Sequence, residues 1–221
     1  MFVSLDKKLI ILFPPKTAST SIQSAMNKTG IKFNFGKKKL EYPIFHLKLS
    51  ELCEWHGLTN IEDYTIIQFT RNPYHRFVSS YYQLMRHEIG NNTSLSFYGM
   101  KFKEFTQHVD KSKQSNDFIK TFFGDESYYY DNLKLKKHWS GVRLFEEQVS
   151  WNDLTKKIHY FKIEDVFSDM SSVSELLGCG VIPIENTNKN PLTVDYDNLL
   201  DEECMNIIYQ HFNNDFKIIG Y

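Results

Sequence analysis

Residues 9–21 read LIILFPPKTASTS and decide the fold. They open with five apolar residues that end at two prolines, a pattern typical of a strand buried on both faces in a parallel sheet. The residues that follow offer Thr or Ser as a helix N-cap, and Ile22, Ala25 and Met26 recur at helical spacing. The stretch therefore predicts a strand, a tight loop and a helix over residues 20–27.

The same order recurs along the chain. Residues 64–70 predict a strand, and Asn72-Pro73 predicts the N-cap and first position of a helix that runs to about residue 87. Strands alternating with helices predict an α/β domain with a mostly parallel central sheet flanked by helices, and no boundary divides residues 1–221. The remaining patterns predict a helix over 101–123, a strand over 158–163, a helix over about 165–177 ending at Gly178, a loop over 186–196 and a last helix over about 201–212.

Composition excludes several classes of protein. The 221 residues are 41% hydrophobic and 15% aromatic, which rules out a disordered chain. A formal charge of −1 gives no general attraction for a polyanion, so we expect no nucleic-acid partner. Three scattered cysteines argue against a disulfide framework and a thiolate zinc site. Since no apolar run approaches the roughly 20 residues of a membrane span and the N-terminus does not resemble a signal peptide, we expect a cytoplasmic protein.

The loop over residues 14–21 has the composition of an anion site. It lies between a predicted strand and a predicted helix, where backbone N–H groups and the helix dipole favour an anion. Lys16 adds a positive charge, and residues 17 and 19–21 add hydroxyl donors. The loop contains no glycine, so it is not a Walker A loop, whose glycines wrap the phosphates. The alternative is that a lysine and small capping residues simply begin a helix.

A second candidate anion site follows the next predicted strand, where residues 70–82 read TRNPYHRFVSSYY. Arg71 precedes the helix, and Ser79 lies two turns into it, so a rise of about 1.5 Å per residue separates their Cα atoms by roughly 10 Å, within reach of one phosphate. Arginine suits a bidentate phosphate contact. The alternative is an ion pair for Arg71 and a packing role for Ser79. Together, the two candidate sites suggest a nucleotide that carries phosphates at both ends.

These motifs resemble those of the sulfotransferases that use 3′-phosphoadenosine-5′-phosphosulfate (PAPS), in particular the carbohydrate-type branch. Residues 12–23 resemble that family's 5′-phosphosulfate loop, and residues 69–82 resemble its 3′-phosphate motif, including the serine eight positions after the arginine. Weaker matches continue at residues 160–165, at 188–190, and at 215–216 with 220–221, whereas residues 88–157 match only loosely. The resemblance implies a P-loop-like sulfotransferase fold and one sulfotransferase domain over residues 1–221.

The resemblance also implies a reaction, in which a sulfuryl group moves in line from PAPS to an acceptor hydroxyl and 3′,5′-bisphosphoadenosine remains. Lys16 would neutralise charge on the leaving oxygen. No divalent metal is expected, because the protein's own donors would do what Mg²⁺ does in kinases. The other residues implied in binding the nucleotide are Thr17, Ala18, Ser19, Thr20 and Ser21 at the 5′ end, Arg71 and Ser79 at the 3′-phosphate, and Lys189 in a closing loop.

Transfer to a hydroxyl needs a general base, and several candidates stay open. His46 is the first choice, because it lies between the two phosphate motifs, is predicted to end a strand, and carries an imidazole whose ordinary pKa of about 6.5 suits the task. Glu41 is the runner-up, followed by His56, His75 and His138. The acceptor also stays open, with a carbohydrate implied by the branch. We expect a bacterial or viral enzyme; a P-loop-like kinase or hydrolase and a non-catalytic nucleotide-binding module are the alternatives.

Overall fold

The structure is a computed structural model that describes residues 2–34, 46–86, 99–115, 143–155, 157–180, 182–185 and 196–221. The chain divides into two compact units, each built from two stretches of sequence. The first unit comprises residues 1–72 and 148–192, and the second comprises residues 73–147 and 193–221. We describe each unit by itself, and the single domain over residues 1–221 stays a prediction.

The first unit is built on a four-stranded sheet with the order β1-β2-β3-β4. The pair β1–β2 is antiparallel, whereas β2–β3 and β3–β4 are parallel, so the predicted mostly parallel α/β sheet is confirmed. The predicted strands lie where the sequence put them, but β1 was not predicted, because a strand of three residues is too short to leave a periodic signal. The strands are β1 (Phe2–Ser4), β2 (Leu9–Leu12), β3 (Thr65–Thr70) and β4 (His159–Lys162).

Helices flank the sheet and also form most of the second unit. In the described part of the chain they are α1 (Ser19–Met26), α2 (Leu49–His56), α3 (Pro73–Arg86), α4 (Phe102–Lys113), α5 (Ile163–Val166), α6 (Ser171–Leu177), α7 (Tyr196–Leu199), α8 (Glu202–His211) and α9 (Asn213–Ile219). Among the residues described, no helix is long and apolar enough to cross a membrane.

The sheet of the first unit has a core on each face, because side chains alternate along its strands. On one face, Ile11 and Ile67 pack with α1, α5 and α6. On the other face, Ile10 and Leu12 pack with α2. This double burial explains why β2 reads as a continuous apolar run rather than an alternating one.

Several helix boundaries differ from the predictions. The predicted helix over residues 165–177 is two helices, α5 and α6, because the Asp169 carboxylate accepts a hydrogen bond from the Ser171 N–H at 2.8 Å and starts a new helix there. The helix α6 ends at Gly178, as predicted, and Gly178 adopts the left-handed conformation. The helices α2, α7 and α9 were not predicted. Residues 186–195 of the predicted loop and 116–123 of the predicted helix lie outside the described residues, and α7 begins at Tyr196.

The second unit is helical and has an aromatic core. Phe77 of α3 lies 5.9 Å from Phe105 of α4 and 6.3 Å from Phe212, measured between ring centroids. The helix α3 begins at Pro73, as predicted. The helix α8 begins after Asp201, whose carboxylate accepts a hydrogen bond from the Cys204 N–H at 2.8 Å. The predicted helix over residues 201–212 is therefore confirmed to within one residue at either end.

Candidate active site

The loop between β2 and α1 has a strained backbone. Lys16 and Ala18 both adopt the left-handed conformation, with φ of 68° and 56°. For residues other than glycine this conformation costs about 1–3 kcal/mol, and it is concentrated at functional sites. Buried Thr17, which lies between them, donates a hydrogen bond from its hydroxyl to the Pro14 carbonyl at 2.7 Å. This bond folds the loop back on the end of β2.

The N-terminus of α1 differs from the predicted one. Its N-cap is Ala18 rather than a Thr or Ser, and a methyl side chain cannot accept hydrogen bonds from the first-turn N–H groups. The first turn, which begins at Ser19, contains no acidic residue, and Lys16 precedes it. Successive N–H groups around left-handed residues form concave anion sites in proteins. The local geometry therefore suits an anion at this helix terminus.

Arg71 connects the two predicted phosphate motifs. It directly follows β3, and its Nη1 donates a hydrogen bond to the main-chain oxygen of Lys16 at 3.3 Å. Because β2 and β3 are parallel neighbours, their carboxyl ends lie at the same edge of the sheet, and both loops leave from this edge. Lys16 and Arg71 are both partly buried. The first unit thus places two cationic side chains and a strained loop at one end of its sheet.

His46 contacts the same end of the sheet. Its Nδ1 lies 2.8 Å from the carbonyl oxygen of Phe13, the residue that follows β2. A carbonyl oxygen can only accept, so this bond requires a proton on Nδ1, and in the neutral ring the lone pair then lies on Nε2. The rings of His46 and Trp151 meet edge to face at a centroid distance of 6.3 Å. This is the tautomer that a general base acting through Nε2 needs.

The strand predicted to end at His46 lies outside the described residues, so that prediction stays open. Residues 46–48 are irregular and lead into α2, and the bond to the Phe13 carbonyl holds the His46 ring. His56 is the last residue of α2, and burial lowers its pKa. His75 lies in the second unit, with its ring 4.8 Å from that of Tyr196. The candidates Glu41, His138 and Lys189 lie outside the described residues.

Ser79 lies on α3 and belongs to the second unit, so its pairing with Arg71 stays a prediction. Two residues near the site were missed by the sequence analysis, namely Gln148 and Trp151. A single glutamine or tryptophan carries no motif, and both lie in the region that matched the family only loosely. In the described part of the chain, no group of three or more His, Cys, Asp and Glu side chains could hold a metal ion.

The fold and this site define an α/β protein in which the loop at the carboxyl edge of the sheet has a geometry that suits an anion. The chain belongs to the Sulfotransferase family, whose model matches residues 1–221 and so spans both units. A solved sulfotransferase from Alicyclobacillus acidocaldarius is 15% identical, with a TM-score of 0.38 over 98% of this chain and 90% of that one. None of the curated proteins matches the chain. The resemblance to sulfotransferases is confirmed at the level of the family, and the protein is a transferase of this class.

Proposed function

We propose that the protein transfers the sulfuryl group of PAPS to an acceptor hydroxyl, without a divalent metal. The observation that carries this proposal is the hydrogen bond from Arg71 Nη1 to the Lys16 carbonyl. It supports one continuous site for a nucleotide with phosphates at both its 3′ and 5′ positions, because each of the two predicted phosphate motifs supplies one partner of the bond. A carbohydrate is the acceptor class that the resemblance implies.

The residues of the loop fit the 5′-phosphosulfate group. The Lys16 ammonium and the N–H groups at the start of α1 would bind its oxygens. The Thr17 hydroxyl hydrogen is already donated to the Pro14 carbonyl, so Thr17 would contribute its N–H rather than its side chain. The sequence motif adds Ala18, Ser19, Thr20 and Ser21 to the proposed loop, and Ser79 and Lys189 to the rest of the proposed set.

Two side chains of the first unit would carry the chemistry. Bound PAPS supplies a sulfuryl group on a good leaving group. Lys16 would stabilise the negative charge that grows on the leaving oxygen. His46 would accept the acceptor's proton at Nε2, while the Phe13 carbonyl stabilises the imidazolium through Nδ1–H. The same hydrogen bond would hold the imidazole ring in place before and after proton transfer.

Calorimetric titration with 3′,5′-bisphosphoadenosine, 5′-AMP and ATP tests the donor, with and without Mg²⁺. We expect the bisphosphate to bind about 10–100-fold more tightly than 5′-AMP, the range that a charged hydrogen-bonded contact supplies, with no effect of Mg²⁺. Arg71→Ala should remove this difference. Arg71→Lys is the matched control, since it keeps the charge but loses the two-pronged contact, and it should retain part of the difference.

The other outcomes support the alternatives. Tighter binding of ATP with Mg²⁺ would favour a kinase or nucleotide hydrolase. In that case carboxylates such as Glu164 would be needed as metal ligands, whereas Glu164 here accepts a hydrogen bond from the Asn72 N–H at 2.9 Å. Tight binding of the bisphosphate without sulfuryl transfer to any of a panel of sugar, phenol and lipid hydroxyls would favour a non-catalytic binding module.

A further inference from the structure

Gln148 makes two hydrogen bonds to the main chain of one residue, Arg71. Its Oε1 accepts from the Arg71 N–H at 2.8 Å, and its Nε2 donates to the Arg71 carbonyl at 2.8 Å. Gln148 is the first residue of a short 3₁₀ helix, Gln148–Trp151, and it is fully buried. The carboxamide therefore holds both polar main-chain groups of the residue that we assign to the 3′-phosphate.

The two bonds from the Gln148 side chain continue the hydrogen-bonding pattern of β3 by one residue, to Arg71. The parallel ladder between β3 and β4 ends where Thr70 pairs with Lys162, so Arg71 is the first residue beyond it. A primary amide carries one acceptor and one donor side by side, as the C=O and N–H of one residue in an antiparallel neighbouring strand do, and it binds the N–H and C=O of a single residue in the same way. The Gln148 side chain thus takes the place of a strand neighbour at the position where the sheet has none.

Gln148 is itself anchored to the sheet. The Gln68 side chain, on β3, donates from Nε2 to the Gln148 carbonyl at 2.6 Å, and both side chains are fully buried. Buried polar groups that lose their partners are costly, because water cannot replace the lost bonds. The two bonds from the Gln148 carboxamide therefore leave the Arg71 main chain little freedom to shift, and its guanidinium reaches the Lys16 carbonyl from a fixed origin.

We infer that Gln148 is a positioning residue for recognition of the nucleotide's 3′-phosphate and acts through the main chain of Arg71. This inference rests on the proposed function. An arginine contact gains most when its long side chain loses little freedom on binding, and a fixed backbone at Arg71 limits that loss. Gln148 is thus expected to affect the part of the affinity that depends on the 3′-phosphate, and not the part that depends on the 5′ end.

The test compares 3′,5′-bisphosphoadenosine with 5′-AMP in calorimetric titrations of Gln148→Met. Methionine has nearly the same length and keeps the site apolar, but it makes neither bond to Arg71. We expect the affinity for the bisphosphate to fall about tenfold, equivalent to one well-placed hydrogen bond to a charged group, and the affinity for 5′-AMP to stay within about twofold. Equal losses for both ligands would overturn the inference, because they would indicate general loosening of the site.

Gln68→Met is the matched control. It is the same exchange at a neighbouring buried glutamine, and it removes a bond to Gln148 while leaving both bonds to Arg71. It should lower the melting temperature in the same way but keep the ratio of the two affinities. A ratio that falls equally in Gln68→Met and Gln148→Met would overturn a specific role for Gln148.

Two further outcomes keep the inference separate from the proposed function. If Gln148→Met does not fold, Gln148→Glu replaces it. Its carboxylate still accepts from the Arg71 N–H but cannot donate to the Arg71 carbonyl, so the ratio of the affinities for the bisphosphate and for 5′-AMP should again fall. A wild-type protein that binds both nucleotides equally would overturn the proposed function and this inference with it. A wild-type protein that discriminates, together with an unchanged ratio in the variant, would overturn the inference alone.

Discussion

The helices α1 and α8 begin in opposite ways. At α8 the N-cap Asp201 has an extended backbone, its carboxylate accepts from the Cys204 N–H, and Glu202 and Glu203 occupy the first turn. Lys103 pairs with Asp201 at 2.8 Å and lowers the pKa of that carboxyl to about 2. At α1 the N-cap Ala18 is left-handed, the first turn contains no acidic residue, and Lys16 precedes it.

The two helix N-termini differ in whether acidic side chains lie at the cap and in the first turn. A helix N-terminus carries partial positive charge and is stabilised by a nearby negative group. The protein supplies that group itself at α8, in the second unit. At α1, in the first unit, the described residues supply a lysine and a strained backbone instead, an arrangement that a bound anion would stabilise. We therefore expect ligand chemistry at α1 and only structural stabilisation at α8.

Lys16→Ala gives the largest expected effect. Without the ammonium, the charge on the leaving oxygen loses its main stabilising group in the first unit, so we expect kcat to fall about 10²–10³-fold, as on loss of one such donor. The measurement is single-turnover sulfuryl transfer under saturating nucleotide. Lys103→Ala is the control at the other helix terminus, and it should change the stability of the second unit but not kcat. Full activity in Lys16→Ala would contradict the assignment of α1 as the reactive terminus.

His46→Asn tests whether proton transfer occurs at the same end of the sheet. The asparagine side chain can still donate to the Phe13 carbonyl, as Nδ1–H does, but it has no basic nitrogen. We expect kcat to fall about 10²-fold or more, the usual contribution of a general base, with nucleotide affinity unchanged. The acidic limb of the pH–rate profile should disappear together with the activity.

The control for this substitution is His56→Asn. His46 lies in the loop before α2, and His56 is the last residue of that helix. His56→Asn should keep both activity and the acidic limb. If His56→Asn loses the acidic limb of the pH–rate profile and His46→Asn keeps it, the base is His56. The hydrogen bond from His46 to the Phe13 carbonyl then has only a structural role.

Long periodic segments of this fold could be predicted from the sequence. The strands β2, β3 and β4 and the helices α1, α3 and α8 lie within a few residues of their predicted bounds, because apolar residues mark the strands as short runs and the helices by their helical spacing. The helix α2 is as long as α1 but begins after Lys48 rather than after a preferred cap residue, and β1 has only three residues, so neither was predicted. The cap of α1 was predicted wrongly because Thr and Ser are preferred caps, whereas the loop here imposes a left-handed Ala18.

The site could be predicted only where a motif carries it. Lys16 and Arg71 belong to recognisable stretches at strand–helix junctions, and their contact follows from parallel neighbouring strands. Gln148 has no such signal, because its partner lies 77 positions earlier in the chain and only the folded sheet brings the two together. The tautomer of His46 likewise depends on a carbonyl oxygen, which no sequence pattern specifies.

Ala18→Gly gives the smallest expected effect and tests the strain at α1 directly. Glycine adopts φ of 56° without the penalty of about 1–2 kcal/mol that a Cβ imposes, but it also gains freedom in the unfolded chain. We expect the free energy of unfolding in urea to rise by about 0.5–1 kcal/mol. Ala25→Gly, a buried position within the same helix, should instead lower it by about 1 kcal/mol or more. A loss of similar size in both variants would mean that the left-handed Ala18 is not strained. If the strain preorganises the loop for an anion, the more stable Ala18→Gly should bind 3′,5′-bisphosphoadenosine more weakly, since its loop must be ordered at the moment of binding.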